Sequence, residues 1–178
     1  MRLKELYRRE ILPKLKEKFG YRNDLAAPRI IRVVVNVGFG RYFKEKDYIE
    51  NVKKGLAAIT GQKPILTKAK KSISSFKVRQ GNIIGAKVSI GGDRMYDFID
   101  KLVRITFPRV RDFRGINEKS VDNSGNLTVG FREHLSFPEI KSDEVDNVFG
   151  LEICISTSAK TREEGLELFK LLGFPFKK

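Results

Sequence analysis

The fold is decided by the stretch Pro28-Arg29-Ile30-Ile31-Arg32-Val33-Val34-Val35-Asn36-Val37-Gly38, in which β-branched residues run between a proline and a glycine. Side chains alternate along a β-strand, so the odd-numbered residues from Ile31 to Val37 are predicted to face a core. Arg32 and Asn36 are then predicted to lie on the other side of the strand. This stretch therefore predicts a sheet with one apolar side and one partly polar side.

A second strand of the same character is predicted at residues 86–90. Apolar residues (Ala86, Val88 and Ile90) alternate there with Lys87 and Ser89, so the polar pair is predicted to point away from the core. Further strands are predicted at residues 64–67, 127–131 and 151–157. Between the strands predicted at residues 64–67 and 86–90, residues 68–85 mix basic, small polar and isolated apolar residues and are predicted to form a long exposed loop or a β-excursion.

Amphipathic helices are predicted around these strands. Residues 3–19 carry apolar side chains at steps of four, and Pro13 predicts a kink or two short helices in this N-terminal segment, residues 1–20. Two more helices are predicted to be capped by Asp47 and Asp93, the second of them limited by Pro108. A capping box, Thr161-Arg162-Glu163-Glu164, predicts a last helix that reaches Leu172.

The order of these elements predicts the fold class. Strands and helices interleave without a regular βα alternation, which favours an α+β fold over a parallel α/β fold. Residues 1–178 are predicted to form a single domain, a mostly antiparallel sheet with helices on one face. The opposite face of the sheet is then left open.

The positive charge is concentrated in one part of the chain. The formal net charge is +14, yet residues 51–92 hold nine lysines and arginines and no carboxylate, while residues 133–178 have a net charge of −3. A basic stretch without carboxylates repels itself unless an anionic partner neutralises it, and a phosphate backbone is the commonest such partner. A solvated lysine-rich face is the alternative interpretation of the same pattern.

Residue counts exclude most enzymatic chemistry. His134 and Cys154 are the only histidine and the only cysteine, so the sequence predicts no disulfide, no metal site and no histidine-based acid–base relay. Gly38-Phe39-Gly40 lacks the third glycine of a dinucleotide fingerprint, and no cofactor is predicted. These missing motifs favour a protein that is not an enzyme. No apolar stretch approaches the length of a membrane span, which favours a cytoplasmic protein without a membrane partner.

The polar side of the predicted sheet is the best candidate site. If strands 30–37 and 86–90 share one sheet, the residues on its open side include Arg32, Asn36, Lys87 and Ser89, with Gln62 and Lys63 at the start of a neighbouring strand. Such a surface offers cations to phosphates, and amide and hydroxyl groups to sugars and base edges. Few aromatic residues lie there, which favours a folded RNA over a single strand, although Asn36 and Ser89 also fit ordinary polar positions of a sheet.

Several segments of the chain resemble one protein family over nearly the whole length. The chain is similar to the bacterial L-five family of large-subunit ribosomal proteins. The segments that carry this resemblance are Pro28 to Gly38, Gly61-Gln62-Lys63-Pro64, Thr67-Lys68-Ala69-Lys70-Lys71-Ser72, Phe76-Lys77-Val78-Arg79-Gln80-Gly81, Phe107-Pro108-Arg109-Val110-Arg111-Asp112-Phe113-Arg114-Gly115, Phe137-Pro138-Glu139-Ile140 and Phe174-Pro175-Phe176.

The resemblance implies partners on the ribosome. It implies that an open sheet face binds 5S ribosomal RNA, with contact positions that match Arg32, Asn36, Gln62 and Ser89. It also implies that a loop around Lys77, Val78, Arg79, Gln80 and Gly81 contacts the peptidyl-site transfer RNA, and that the protein contacts other ribosomal RNA and proteins. A bridge to a small-subunit head protein is expected within residues 109–148. The chain departs from the family where Ser89 replaces a common threonine and Gly91 a common arginine.

Two alternatives from other functional classes remain at this point. An RNA-processing or RNA-modifying enzyme would need a catalytic constellation, against which the single histidine and the missing cofactor motifs argue. A protein that compacts DNA by charge alone would bind duplex DNA about as well as 5S RNA at equal salt.

Overall fold

The computed structural model describes residues 2–141 and 147–177. It confirms the predicted α+β class, with a five-stranded antiparallel sheet and helices. The strand order across the sheet is β2-β3-β1-β5-β4. The strands are β1 (Ile30–Gly38), β2 (Ile65–Lys68), β3 (Ile83–Ile90), β4 (Leu127–Phe131) and β5 (Leu151–Thr157).

Six α-helical segments are found in the described residues. They are α1 (Leu3–Leu6), α2 (Leu12–Phe19), α3 (Lys46–Thr60), α4 (Asp93–Lys101), α5 (Phe107–Arg109) and α6 (Arg162–Leu171). Short 3₁₀ turns occur at Asp24–Ala26, Glu118–Ser120 and His134–Ser136. Two predicted helix starts were wrong by one or two residues, because Asp47 lies inside the first turn of α3 and Asp93 is the first residue of α4 rather than its cap.

Residue contacts divide the chain into two compact units. The first unit comprises residues 1–33, 90–129 and 154–178, and the second comprises residues 34–89 and 130–153. The single domain predicted for residues 1–178 stays a prediction.

The two helix-interrupting prolines have an effect that the sequence analysis did not predict. A π-helical turn, Tyr7–Ile11, joins α1 to α2 just before Pro13, and another, Leu102–Thr106, joins α4 to α5 just before Pro108. Each π turn ends in a backbone bond between residues five apart, from Leu12 to Tyr7 and from Phe107 to Leu102. A proline ring clashes with the carbonyl four residues before it, and the wider π turn relieves that clash. The helical backbone therefore continues past Pro13 to Phe19, whereas α5 ends at Arg109, one residue after Pro108, which confirms the predicted limit.

One residue of the fold-deciding stretch was assigned to the wrong side. Val33, Val35 and Val37 are buried as predicted, but Ile30 is buried in place of Ile31, which is 55% exposed. The alternation of β1 is therefore regular only from Arg32 onwards. Two consecutive residues, Ile31 and Arg32, are exposed, so the alternation changes phase there and strict alternation assigns Ile31 to the wrong side.

The first unit packs its helices through aromatic side chains and one very close backbone contact. The Tyr7 hydroxyl donates to the Pro28 carbonyl at 3.0 Å, and burial raises the pKa of Tyr7 to about 12. In α6, Gly165 lies against the turn at Gly125, where a Cβ on Gly165 would overlap the Gly125 Cα. The unit therefore has at least one position at which only a residue without a side chain fits.

The second unit contains the chain's only histidine in its core. His134 is buried, and its ring stacks on Phe149 with centroids 3.8 Å apart and an interplanar angle of 7°. Its Nδ1 lies 3.3 Å from both the backbone nitrogen and the carbonyl oxygen of Phe149. Burial lowers the pKa of His134 below its ordinary value, because the charged imidazolium loses solvation.

The burial of His134 predicts that the folded protein loses stability in mild acid. Well above the ordinary pKa of 6.5 the imidazole is neutral in both states. Below it the unfolded chain binds a proton that the buried ring resists, so the free energy of unfolding falls as the pH falls. We expect urea unfolding to show that the free energy of unfolding falls less between pH 7.5 and pH 5.5 in His134→Phe than in the wild-type chain. Phenylalanine keeps an aromatic stack and cannot titrate. Equal losses in both proteins would contradict the role of His134.

Candidate nucleic-acid interface

The pairing of β2 with β3 defines one open side of the sheet in the second unit. Ile65 lies opposite Lys87, and Leu66 lies opposite Ala86. Residues that face each other in an antiparallel pair point to the same side, and Ala86 is fully buried whereas Lys87 is exposed. Lys87, Ser89 and Ile65 therefore lie on the side away from the core.

A backbone hydrogen bond at the end of β1 defines which residues of β1 lie opposite which residues of β3. Phe39 N–H donates to the Ile84 carbonyl at 2.9 Å. A regular antiparallel register continued from this bond sets Asn36 opposite Lys87 and pairs the buried Val37 with the buried Ala86. Asn36, Lys87 and Ser89 thus belong to one surface, as the sequence predicts.

The end of α3 positions Gln62 and Lys63 beside the same surface. Gly61 ends the helix with φ +66°, a left-handed conformation that glycine adopts without strain. Thr60 Oγ1 donates to the Leu56 carbonyl at 2.6 Å and accepts from the Gln62 N–H at 3.4 Å. These bonds fix the turn that leads into β2, and Lys63 comes two residues before Ile65, on the same side of the chain by strand alternation.

The polar groups of this surface have no partner among residues 2–141 and 147–177. No hydrogen bond or ion pair within that part of the chain involves the side chains of Asn36, Gln62, Lys63, Lys87 or Ser89. We call this set, together with Ile65, the open surface. Its two ammonium groups and two amides are available to an external ligand, which is the arrangement expected of an unoccupied binding surface.

Arg32 belongs to the first unit and is described separately from the open surface. It is exposed, and no ion pair with another described residue involves it. It precedes Asn36 by four residues on β1, and the regular alternation from Arg32 onwards sets both on the same side of that strand.

The predicted loop at residues 68–85 was too long at both ends, because Lys68 belongs to β2 and residues 83–85 belong to β3, and residues 69–82 between them form a folded hairpin. Ile73 N–H donates to Val78 O at 2.9 Å and Val78 N–H donates to Ile73 O at 3.2 Å, which closes a turn over Ser74 to Lys77. Ser72 Oγ accepts from Gln80 N–H at 2.9 Å, and Ala69 exchanges backbone bonds with Gly81 and Asn82. We call residues 69–82 the basic hairpin.

The five residues that the resemblance assigns to transfer-RNA contact differ in exposure within the basic hairpin. Its side chains at Lys77, Arg79 and Gln80 are exposed, as is Gly81, but Val78 is only 8% exposed. The Val78 side chain is therefore mostly buried, whereas its neighbours are exposed, and its contact with transfer RNA stays a prediction. The isolated apolar position between two basic residues is the sequence signal that points to this burial.

Comparison with known proteins identifies the family. A family model described as "Ribosomal protein L5" matches residues 23–79, and a second model, for the C-terminus of the same ribosomal family, matches residues 83–176. The chain is 55% identical to "Large ribosomal subunit protein uL5" of Halothermothrix orenii, over 98% of this chain and 97% of that protein. It is 50% identical to the protein of that name from Carboxydothermus hydrogenoformans, over 98% of each chain.

The chain belongs to the ribosomal protein L5 family. This confirms the resemblance inferred from the sequence motifs. Members of the L5 family are structural ribosomal proteins and not enzymes, which confirms that interpretation and removes the RNA-modifying enzyme from consideration. A ribosomal protein acts in the cytoplasm, as predicted. None of the described helices is long and apolar enough to cross a membrane.

Two features of the surface in this L5-family chain were missed by sequence reasoning. Ile65 is 65% exposed and contributes an apolar side chain beside Lys87. On β5, Glu152 is exposed between the buried Leu151 and Ile153, so a carboxylate lies on the side of β5 away from the core. Alternation in 151–157 could have indicated Glu152, whereas the exposure of Ile65 follows from strand pairing that no local pattern specifies.

Proposed function

We propose that this L5-family chain is a component of the large ribosomal subunit that binds 5S ribosomal RNA through the open surface and Arg32. The observation that carries the proposal is the group of amide, hydroxyl and ammonium groups on β1, on β3 and just before β2 that have no partner among the described residues. The name of the relatives, "Large ribosomal subunit protein uL5", supports the subunit. Other ribosomal RNA and proteins are the further partners that follow from such a location.

The chemistry of the open surface fits a folded RNA. Lys63 and Lys87 supply positive charge, and no carboxylate occurs between Glu50 and Asp93 to neutralise it. Asn36 and Gln62 can donate and accept hydrogen bonds at base edges and ribose hydroxyls, which the wide minor groove of A-form RNA exposes. The open surface has no aromatic residue, so it lacks the stacking platform of a protein that binds single strands.

Glu152 on β5 is expected to mark the edge of the RNA-binding surface. A carboxylate repels phosphates, so an RNA that covers β3 and β1 is expected to stop short of the part of β5 that carries Glu152. The acidic C-terminal part of the chain is then left for contacts with other molecules.

A binding titration of the full-length chain tests this function. We expect 5S RNA to bind more tightly than transfer RNA or duplex DNA, and we expect that preference to persist as the salt concentration rises. Charge-driven binding to any phosphate backbone weakens steeply with salt, whereas base and sugar contacts preserve a specificity ratio. Equal affinities for 5S RNA and duplex DNA at every salt concentration would favour a protein that compacts DNA by charge.

We propose a second contact, between the basic hairpin and the peptidyl-site transfer RNA. The exposed cations Lys77 and Arg79 support it, as does the closed backbone that holds them. Lys77 has φ +53°, a conformation that costs a non-glycine residue energy, and the turn bond from its N–H to Ser74 O at 3.0 Å compensates. A hairpin folded in advance loses little conformational entropy on binding.

Removing the two cations Lys77 and Arg79 tests the transfer-RNA contact independently of 5S RNA binding. We expect Lys77→Ala combined with Arg79→Ala to leave 5S affinity within about twofold, because neither residue lies on the open surface, and to slow peptide synthesis by reconstituted ribosomes. Lys119→Ala combined with Lys160→Ala, which removes two cations elsewhere, is the control. A large loss of 5S binding by the hairpin variant would assign the hairpin to the 5S interface instead.

We propose that the bridge to a small-subunit head protein uses residues within 109–148. Three arginines in this segment, Arg109, Arg111 and Arg114, are exposed, and none forms an ion pair with another described residue. Residues 142–146, which belong to the same predicted region, lie outside the described residues.

A further inference from the structure

A cavity of about 880 Å³ lies in the second unit between the basic hairpin and the segment that follows β1. Gly40–Glu45 form one wall, and residues 69–71, 73, 76–78 and 84 form the rest. This volume is within the range of sites that hold small organic ligands. None of the residues of the open surface lines it, so the cavity is a separate site.

Three exposed apolar side chains meet at this cavity. Phe76 is 71% exposed, Ile73 is 46% exposed and Tyr42 is 44% exposed. An isolated exposed apolar residue needs no explanation, but three around one concave site indicate a surface that a ligand covers. The Tyr42 ring packs on a second ring, and the Phe76 ring extends from a closed turn of the backbone.

The support for Tyr42 is a second ring. Tyr42 stacks on Tyr48 with centroids 4.6 Å apart and an interplanar angle of 27°, and Tyr48 in turn meets the buried Phe39 edge-on at 6.4 Å. The backbone of Phe76 lies in the turn that is closed by the bonds between Ile73 and Val78. The Tyr42 ring and the backbone that carries Phe76 therefore need little reorganisation to bind a flat ligand.

The rim of the cavity is strongly basic. Its lining includes Arg41, Lys44, Lys70, Lys71 and Lys77, against a single carboxylate on Glu45. No ion pair with a residue of 2–141 or 147–177 involves any of these cations. A ligand that fits must have a flat apolar ring and must also have negative charge, and a nucleotide meets both requirements.

We propose that this cavity binds one unpaired nucleobase of an RNA, stacked on Phe76, while the basic rim binds the adjoining phosphates. The inference rests on the proposed function, because it gives the basic hairpin a specific mode of RNA recognition. A paired base cannot enter a concave site, so the ligand is a bulged or looped nucleotide. Recognition here differs from that of the open surface, which has no aromatic residue.

Two RNA hairpins that differ by one bulged 2-aminopurine test the proposal with the full-length chain. We expect the bulged hairpin to bind at least about fivefold more tightly than the fully paired one, with quenching of the 2-aminopurine fluorescence as the base stacks. Phe76→Ala is expected to abolish the preference and the quenching, and Phe76→Tyr to keep both. Leu25→Ala, which removes an apolar side chain that is 75% exposed elsewhere, is the matched control.

The outcomes separate this proposal from the proposed function. If the wild-type chain binds 5S RNA but shows no preference for the bulge, the nucleobase site is overturned and 5S binding stands. If the preference depends on Phe76 while 5S RNA does not bind, the nucleobase site stands and the 5S proposal fails. Binding of a glutamate-rich peptide that depends on Phe76, without any effect of the bulge, would make the cavity a protein-docking site and overturn the proposal.

Discussion

Replacing Asn36 by alanine is expected to weaken binding of 5S ribosomal RNA by about 1–3 kcal/mol, and Gln62→Ala is expected to have an effect of the same size. Both amides lie at the open surface and have no hydrogen-bond partner among the described residues. Each therefore offers its full bonding capacity to the RNA, and its removal leaves an RNA group unpaired in the complex. Kd values from a filter-binding titration at constant salt measure the loss.

We expect the uncharged residues Asn36 and Gln62 to contribute most to the preference for 5S RNA over other nucleic acids. Lys63 and Lys87 contribute to binding of any phosphate backbone, so their removal should lower affinity for 5S RNA and for duplex DNA alike. Asn36→Ala and Gln62→Ala should lower only the affinity for 5S RNA. Asn123→Ala, an exposed amide in a turn of the first unit, is the control. Unchanged 5S affinity in both amide variants would exclude the open surface as the 5S site.

Gly165→Ala is expected to destabilise the fold by about 2–3 kcal/mol. The added Cβ would lie 2.7 Å from the carbonyl carbon of Gly125 and closer still to its Cα and oxygen, all of them backbone atoms. The Gly125 turn cannot move aside easily, because Thr157 Oγ1 donates to the Gly125 carbonyl at 2.8 Å and Asp122 accepts from the Asn126 N–H at 2.8 Å. The gain in helix propensity from alanine, about 1 kcal/mol, offsets only part of this clash.

Urea unfolding monitored by circular dichroism measures this change. Gly130→Ala in β4 is the matched control, because its Cβ would meet nothing within 4 Å. We expect that variant to stay within about 0.5 kcal/mol of the wild-type chain. If Gly165→Ala unfolds at the same urea concentration as Gly130→Ala, the contact between α6 and the Gly125 turn is looser than described.

The strands and most helices could be predicted because their patterns are local. Alternation at residues 127–131 and 151–157 identified β4 and β5, and the capping box identified α6, whose Thr161 Oγ1 accepts from the Glu164 N–H at 3.3 Å. The two prolines were interpreted correctly as interruptions, since α1 and α2 are separate short helices and α5 ends one residue after Pro108. The π turns before them were not predicted, because no local pattern specifies how a helix accommodates a proline ring.

The candidate site was predicted in part. The sequence assigned Asn36, Lys87 and Ser89 to one surface from the alternation of two strands, and the register from Phe39 and Ile84 agrees. It could not assign Ile65, because the side that a four-residue strand presents depends on its pairing with β3. It could not decide between an exposed loop and a β-excursion for residues 68–85, since the bonds that close the basic hairpin join residues whose partners no periodicity specifies.

The sequence by itself determined the α+β class, the family and the part of the chain that carries the positive charge, because periodicity, motifs and charge are properties of neighbouring residues. Only the tertiary structure decided that Val78 is buried, that Ile31 and Ile65 are exposed, and that Phe76 and Tyr42 line one cavity. These facts depend on contacts between residues far apart in the chain. Burial is set by what packs against a side chain, and that partner is chosen by the whole fold.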